Sequence, residues 1–223
     1  MPAIRFQSPP KRTPFAPEWD YHLYTEFINP IDIIQHMKYI ILSKEKSIIE
    51  EFSGKGHDGS TGLGAETLTG KFTYYNIFDW SEPVFTFFKN WIGEQHNNFR
   101  KEIGLPPMPV WGKCWANVMR KGQVINPHNH GAQPESYLSG HFTIAATDTN
   151  TYYDYPYDND EYWVEKNIPG LLTLFPSCIT HWTDTYQGNE ERISIAFDLY
   201  PEDVYLGTDA DKKFFLESPC VKL

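Results

Sequence analysis

Cysteine is scarce in this chain. Cys114, Cys178 and Cys220 are spread over 223 residues with no close pair. That spacing excludes a CxxC zinc motif and an even disulfide framework, and it indicates a reducing, intracellular setting. Long apolar runs are also missing. No stretch reaches the roughly 18 residues that a spanning helix requires. The N-terminal stretch 1–17 is proline-rich and carries Lys11 and Arg12 without an apolar centre. It reads as an extended arm rather than a signal peptide. Positive charge is in deficit as well, with 19 Lys and Arg against 29 Asp and Glu and a net charge of −10. Phosphate backbones and anionic membranes need clustered basic residues, so neither nucleic acid nor a membrane surface is expected as a partner.

What the chain has is aromatic bulk: Phe, Tyr and Trp make up 16% of it, enough to fill a β-rich core or line a pocket with rings. The length fits one domain over 1–223. Within it the sequence predicts the arm (1–17), a mainly helical support region (18–110), a β core (111–200) and a C-terminal tail (201–223). Asn29-Pro30 reads as a helix start, followed by Ile31, Ile34, Lys38 and Ile41 at helical spacing up to about Phe52. Six glycines between Gly54 and Gly70 read as a flexible, solvated loop or a lid. A second helix is expected from Ser81-Glu82-Pro83, with Val84, Phe88, Trp91, Ile92, Gln95 and Phe99 on one face, ending before Gly104. Short strands follow: Lys113 to Arg120, a second one running to Pro127, Tyr137 to Ala146, Leu171 to Phe175, Ile179 to Asp184 and Arg192 to Tyr200. Asp148 to Glu161 reads as a polar, tyrosine-rich loop. The pattern is that of an all-β sandwich or barrel.

The chemistry gathers in the second half. His128-Asn129-His130 places two imidazoles on the same side of an extended chain, and Asn126-Pro127 fixes that extended approach. Such a pair alone is a weak signal, because polar loops produce it too. His181, between two expected strands, is a third imidazole that can close a metal site with an open face. Neutral imidazoles suit iron, zinc, copper and nickel. Arg192 opens an apolar strand, where a guanidinium is costly without an anion. It either holds the carboxylate of a small organic acid or pairs at the surface with Glu190 and Glu191 in the preceding turn, a contact worth little. The three histidines and the arginine together suggest an iron site that binds an organic acid. Glu135 is either a further metal ligand or a solvated loop carboxylate. His141 reads as a satisfied strand histidine, and His22, His36, His57 and His96 have no partners at ligand spacing.

These residues resemble a known family. His128-Asn129-His130, Ser139-Gly140, Pro169-Gly170 to Phe175-Pro176-Ser177, His181 and Arg192-Ile193-Ser194-Ile195-Ala196-Phe197 are similar to the 2-oxoglutarate/Fe(II) oxygenases. More narrowly, they resemble a subgroup common in marine phages and bacteria, which implies the cytoplasm of a bacterial or phage-infected host cell. The resemblance covers roughly 111–200. It implies a mainly β fold, a cupin-like double-stranded β-helix or jelly roll of two four-stranded antiparallel sheets, with the N-terminal helices packed on the outside of one sheet. It also implies Fe(II) held by two histidines and usually one carboxylate, and an arginine on the far carboxylate of 2-oxoglutarate. Position by position, His128 and His181 match iron ligands, Arg192 the co-substrate arginine and Ser194 its accompanying hydroxyl. Asn117 is expected to donate to the near end of the co-substrate. The usual carboxylate position is His130 here, so the expected metal set is His128, His130 and His181, with Glu135 as the alternative ligand. The implied activity is that of a dioxygenase, a hydroxylase that couples decarboxylation of 2-oxoglutarate to succinate with oxidation of a C–H bond by O2. The rival readings are a three-histidine iron dioxygenase that does not use 2-oxoglutarate, and a non-catalytic jelly-roll binding or structural module. The prime substrate, peptide or small molecule, is not set by the sequence.

Overall fold

The computed structural model describes residues 3–28, 31–155, 158–207 and 219–223. In chain order the elements are β1 (Ala3–Gln7), β2 (Asp20–Phe27), α1 (Ile31–Glu51), α2 (Pro83–Glu102), β3 (Val110–Met119), β4 (Leu138–Ala145), β5 (Asn150–Tyr155), β6 (Asp158–Lys166), β7 (Leu171–Pro176), β8 (His181–Thr183), β9 (Arg192–Pro201), α3 (Glu202–Gly207) and β10 (Val221–Lys222). A seven-stranded sheet has the order β1-β2-β7-β4-β9-β3-β10, and a three-stranded sheet has the order β6-β5-β8. The fold is mainly β and antiparallel, as expected for a jelly roll, but the two sheets are not four strands each. The N-terminal arm and the C-terminal tail extend the larger sheet, where Ala3–Gln7 pairs with β2 and Val221–Lys222 with β3. The smaller sheet has in place of a fourth strand one isolated bridge, between His128 and His181.

The period-two alternation of β9 organises the interior. Ile193, Ile195, Phe197 and Leu199 are buried in the main apolar cluster, which also holds Ile34, Met37 and Ile41 of α1 and Phe85, Phe88 and Ile92 of α2. Phe88 packs on Phe142 of β4, with ring centroids 5.0 Å apart. Burial of a side chain of this size contributes about 1.5–3 kcal/mol. Gly140 of β4 is required here, because a Cβ would run into the Phe197 ring and Leu174. The alternate residues of β9, namely Arg192, Ser194, Ala196 and Asp198, face a cavity between the two sheets instead. The central strands β3, β4, β7 and β9 of the large sheet are therefore buried on both faces: apolar towards the helices and polar towards the smaller sheet.

Two further expectations change, one holds in part and one falls outside the described residues. The helix start assigned to Asn29-Pro30 lies outside the described residues, and the described helix begins at Ile31. The stretch before Pro127 forms no strand; beyond the Lys121-Gly122 turn the chain is irregular up to the His128 bridge. Asp148 to Glu161 is largely the β5–β6 hairpin, in which Thr151 and Tyr153 are buried. The glycine-rich segment is solvated in part, with 53–57 exposed, and packed in part, with Asp58, Gly59, Thr61 and Thr69 lining the cavity between the sheets. Thr61, Leu63, Leu68, Thr69, Gly70 and Lys71 are buried, and the Lys71 ammonium donates to the Lys55 carbonyl at 2.8 Å and to Glu66 at 3.0 Å. Its glycines serve close approach: a Cβ on Gly56 would overlap the Gly70 carbonyl, and one on Gly70 would overlap the Ala65 backbone.

Because both obstacles at Gly70 and Gly56 are backbone, side-chain rotation cannot relieve them. Gly70→Ala should lower the unfolding free energy by about 1–3 kcal/mol, the usual cost of overpacking. Urea denaturation measures it, and a stability equal to the parent's would show that the segment is loosely packed after all.

Candidate metal centre

His128 and His181 are opposite partners in the isolated bridge. The N–H of His128 donates to the His181 carbonyl at 3.2 Å, and the N–H of His181 donates back to the His128 carbonyl at 2.9 Å. Opposite residues of an antiparallel pair project to the same side, so the two rings meet with centroids 4.4 Å apart. His130, two residues on, projects the same way. Its N–H donates to the Ser177 carbonyl at 2.9 Å, which fastens the segment to the β7–β8 loop. One ligand atom from each of His128, His130 and His181 lies within 4.8 Å of the others, and this is the cluster of metal-binding type among the described residues.

Each ring is oriented from behind. Nδ1 of His128 lies 2.9 Å from the Asn126 carbonyl, and Nδ1 of His181 lies 3.1 Å from the Ile179 carbonyl. Nδ1 of His130 lies 2.5 Å from Oδ1 of Asp198. Carbonyl and carboxylate oxygens only accept, so Nδ1 carries the proton in each ring and the Nε2 lone pair is left for a metal. Burial, with the neighbouring histidines, pushes His181 well below the usual histidine range and His128 down to about 4. Both are therefore unprotonated at neutral pH, as ligands must be. This donor set fits a divalent transition metal such as Fe(II).

The same cavity, about 230 Å³, holds the polar face of the large sheet. At about 30 Å³ per water molecule it has room for a small organic acid. Arg192 lies in it, 2% exposed. Its Nε donates to Thr149 Oγ1 at 3.1 Å, and one terminal nitrogen lies 3.2 Å from the Met119 sulfur. Thr149 is held in turn by Asn167, and Asn167 by Thr151. Among the described residues no carboxylate is within ion-pair distance of this guanidinium; Glu190 pairs with Lys38 instead. Desolvation lowers the arginine to about 10, so it stays charged at neutral pH. A buried cation with a hydroxyl and a thioether for partners is missing an anion.

Ser194 and Asn117 line the cavity, both buried, and the Asn117 side-chain oxygen accepts from Thr69 in the glycine-rich segment at 2.7 Å. Glu135 is exposed and does not join the histidine cluster. His141 is not the satisfied strand histidine expected: Nδ1 is 2.7 Å from the Tyr153 hydroxyl, but Nε2 is buried without a hydrogen bond, 3.7 Å from Oε2 of Glu165. Asp198 was not anticipated from the sequence. Period two from Arg192 would have found it, since it repeats on the same face as Arg192 and Ser194.

Residues 139–198 match the sequence model of a family described as "Putative 2OG-Fe(II) oxygenase". That segment, about a quarter of the chain, contains His181 and Arg192 but not His128 or His130, and it is similar to this family. The fold is similar to that of a prolyl-4-hydroxylase from Pseudomonas putida, with a TM-score of 0.53 and 8% identity over 81% of this chain and 92% of that one. It is also similar to a non-heme monooxygenase, ThoJ, solved as its nickel complex, with a TM-score of 0.52 and 8% identity over 80% of this chain and 72% of that one. No curated protein matches by sequence. No helix among the described residues is long and apolar enough to cross a membrane.

The buried Glu165 generates a prediction about stability. Desolvation raises its carboxyl from 4.5 to about 7, although the Thr173 hydroxyl donates to it. Between those values the folded chain holds a proton that the unfolded chain has released. The contribution to stability is therefore full below about pH 4.5 and is lost as pH rises to about 7 and beyond, by on the order of 3 kcal/mol. Neutral His141, pushed down to about 3, does not titrate in that window. Glu165→Gln should remove this loss, so urea unfolding at pH 5 and pH 8 should show a smaller drop for the variant. An equal drop in both proteins would contradict the assignment.

Proposed function

We propose that this protein is an Fe(II)- and 2-oxoglutarate-dependent hydroxylase in which His128, His130 and His181 hold the iron and Arg192 holds the co-substrate. One observation carries this reading: a single cavity contains three imidazoles clustered at metal-binding distance and a buried guanidinium that has no carboxylate partner among the described residues. The two features call for a divalent metal and an organic anion in the same space, which is the family's pair of requirements. Hydroxylation is the activity in the name of the similar Pseudomonas putida protein, and it is the finer part of the proposal.

When bound, iron and 2-oxoglutarate supply the oxidising chemistry, in which substrate C–H, 2-oxoglutarate and O2 give substrate C–OH, succinate and CO2. The residues of this chain bind, orient and shield. Arg192, fixed by the Thr149–Asn167–Thr151 chain, takes one carboxylate of the co-substrate by charge-assisted hydrogen bonds. Ser194 and Asn117 add polar contacts to the co-substrate along the same face. Trp115 and Phe175 flank His130, with ring centroids 5.6 and 6.3 Å away, and restrict water around it. The partly exposed Asp58 and Phe72 and the exposed Asn129 form the solvent side of the cavity, where a prime substrate would enter. Glu135, exposed on its loop, has no part in this reading.

The rival, a three-histidine iron dioxygenase that uses Arg192 for a substrate carboxylate, differs in one measurable respect. Arg192→Ala should weaken 2-oxoglutarate binding about 10- to 150-fold, the equivalent of one charge-assisted bond of roughly 1.5–3 kcal/mol. It should leave Fe(II) affinity nearly unchanged. Anaerobic calorimetry separates the two: unchanged 2-oxoglutarate affinity would favour the rival. His181→Ala should abolish Fe(II) binding in an intact fold. Parent-like iron affinity in that variant would overturn the ligand set, and a parent that binds no iron would favour a non-catalytic module.

A further inference from the structure

The three histidines are not backed alike. His128 and His181 each turn Nδ1 towards a neutral backbone carbonyl two residues earlier, Asn126 and Ile179. His130 turns its Nδ1 towards a carboxylate, that of Asp198, at 2.5 Å. The same carboxylate oxygen accepts from Ser139 Oγ at 2.6 Å, and Ser139 Oγ lies 2.9 Å from Ser177 Oγ. The Ser177 carbonyl in turn holds the backbone N–H of His130. Asp198, Ser139, Ser177 and His130 thus close a ring of contacts spanning β9, β4 and the β7–β8 loop. The His130 and Asp198 side chains are 9% and 16% exposed, so solvent screens their contact little.

We propose that Asp198 is a positioning residue that supplies from behind His130, through its imidazole, the negative charge that an aspartate in place of His130 would bring directly to the metal. This rests on the three histidines being the iron ligands. A carboxylate on the far nitrogen of a ligating histidine fixes its tautomer and makes the near nitrogen a stronger donor. The bond is charge-assisted, shorter and about twice as strong as its neutral counterparts on His128 and His181. The site then keeps two donors with neutral backing and one with anionic backing. The carboxylate is moved one shell outward rather than lost.

The test uses the full-length protein without oxygen, reading Fe(II) affinity by chelator competition and the Fe(III)/Fe(II) midpoint potential, with thermal unfolding as the control for folding. Asp198→Asn keeps the size and an accepting oxygen but removes the charge. It should weaken Fe(II) binding about 10- to 100-fold and raise the potential, since the ferric ion gains most from nearby negative charge. Ser139→Ala keeps the charge but loosens the carboxylate, and should move both quantities less, in the same direction. Unchanged affinity and potential in Asp198→Asn overturn the proposal; if that variant does not fold, the same outcome in Ser139→Ala overturns it. A loss as complete as that of His181→Ala would make Asp198 a ligand and overturn the positioning role. His181→Ala binding iron like the parent would refute the three-histidine reading itself, whatever Asp198 does.

Discussion

The reciprocal backbone hydrogen bond between His128 and His181 is the constraint on which the site rests. It joins a segment with no strand of its own to the short strand β8, and antiparallel geometry turns both side chains to one side. His130 follows from the pitch of the extended chain, and the Ser177 carbonyl stops that segment from twisting away. The ring orientations are then set locally, by an acceptor behind each Nδ1. In place of the fourth strand expected of the smaller sheet, this bridge is joined by irregular backbone bonds, from the Thr183 N–H to the Ile125 carbonyl and from the Tyr186 N–H to the Gln123 carbonyl.

A second constraint is electrostatic. Burying both faces of the central strands of the large sheet would be unremarkable if both were apolar, but the inner face carries Asn117, Ser139, His141, Thr173, Arg192 and Ser194. Such groups are costly to desolvate unless partnered. Several have partners: Ser139 with Asp198, Thr173 with Glu165, Asn117 with Thr69. Two do not have them in full: Arg192, with no anion among the described residues, and His141 at Nε2. The charged member of this pair, Arg192, lines the cavity, where a bound anion would partner it. The fold keeps this cost tolerable by placing its main apolar cluster on the opposite face, against α1 and α2.

Much of this was legible in the sequence, for identifiable reasons. The helices were, because Val84, Phe88 and Ile92 keep the helical period and Pro83 marks the start. The strands from β4 to β9 that carry mostly apolar residues were too, as was the grouping of His128, His130, His181 and Arg192. Other features were hidden by composition. Tyrosine and aspartate disguise the alternation of β5, in which Thr151 and Tyr153 point inward and Tyr152 does not. Glycine in the 54–70 segment suggested freedom, whereas two backbones approach too closely for a Cβ, a nonlocal fact that no local pattern records. The pairing of the first strand with β2 and the collapse of a strand into the His128 bridge depend on register between distant segments. Asp198 needed only the period already used for Arg192 and Ser194, but as an acid near the end of an apolar strand it carried no motif.

The account's central claim is that three imidazole Nε2 atoms, and no carboxylate, hold the iron in the cavity that Arg192 closes. A crystal structure of the full-length protein prepared without oxygen, with Fe(II) and 2-oxoglutarate, tests it most directly. The account predicts His128, His130 and His181 on the metal, the carboxylate of Asp198 still on Nδ1 of His130, and one end of 2-oxoglutarate on the Arg192 guanidinium. An oxygen of Glu135 or Asp198 bound to the metal with His130 turned away would contradict it.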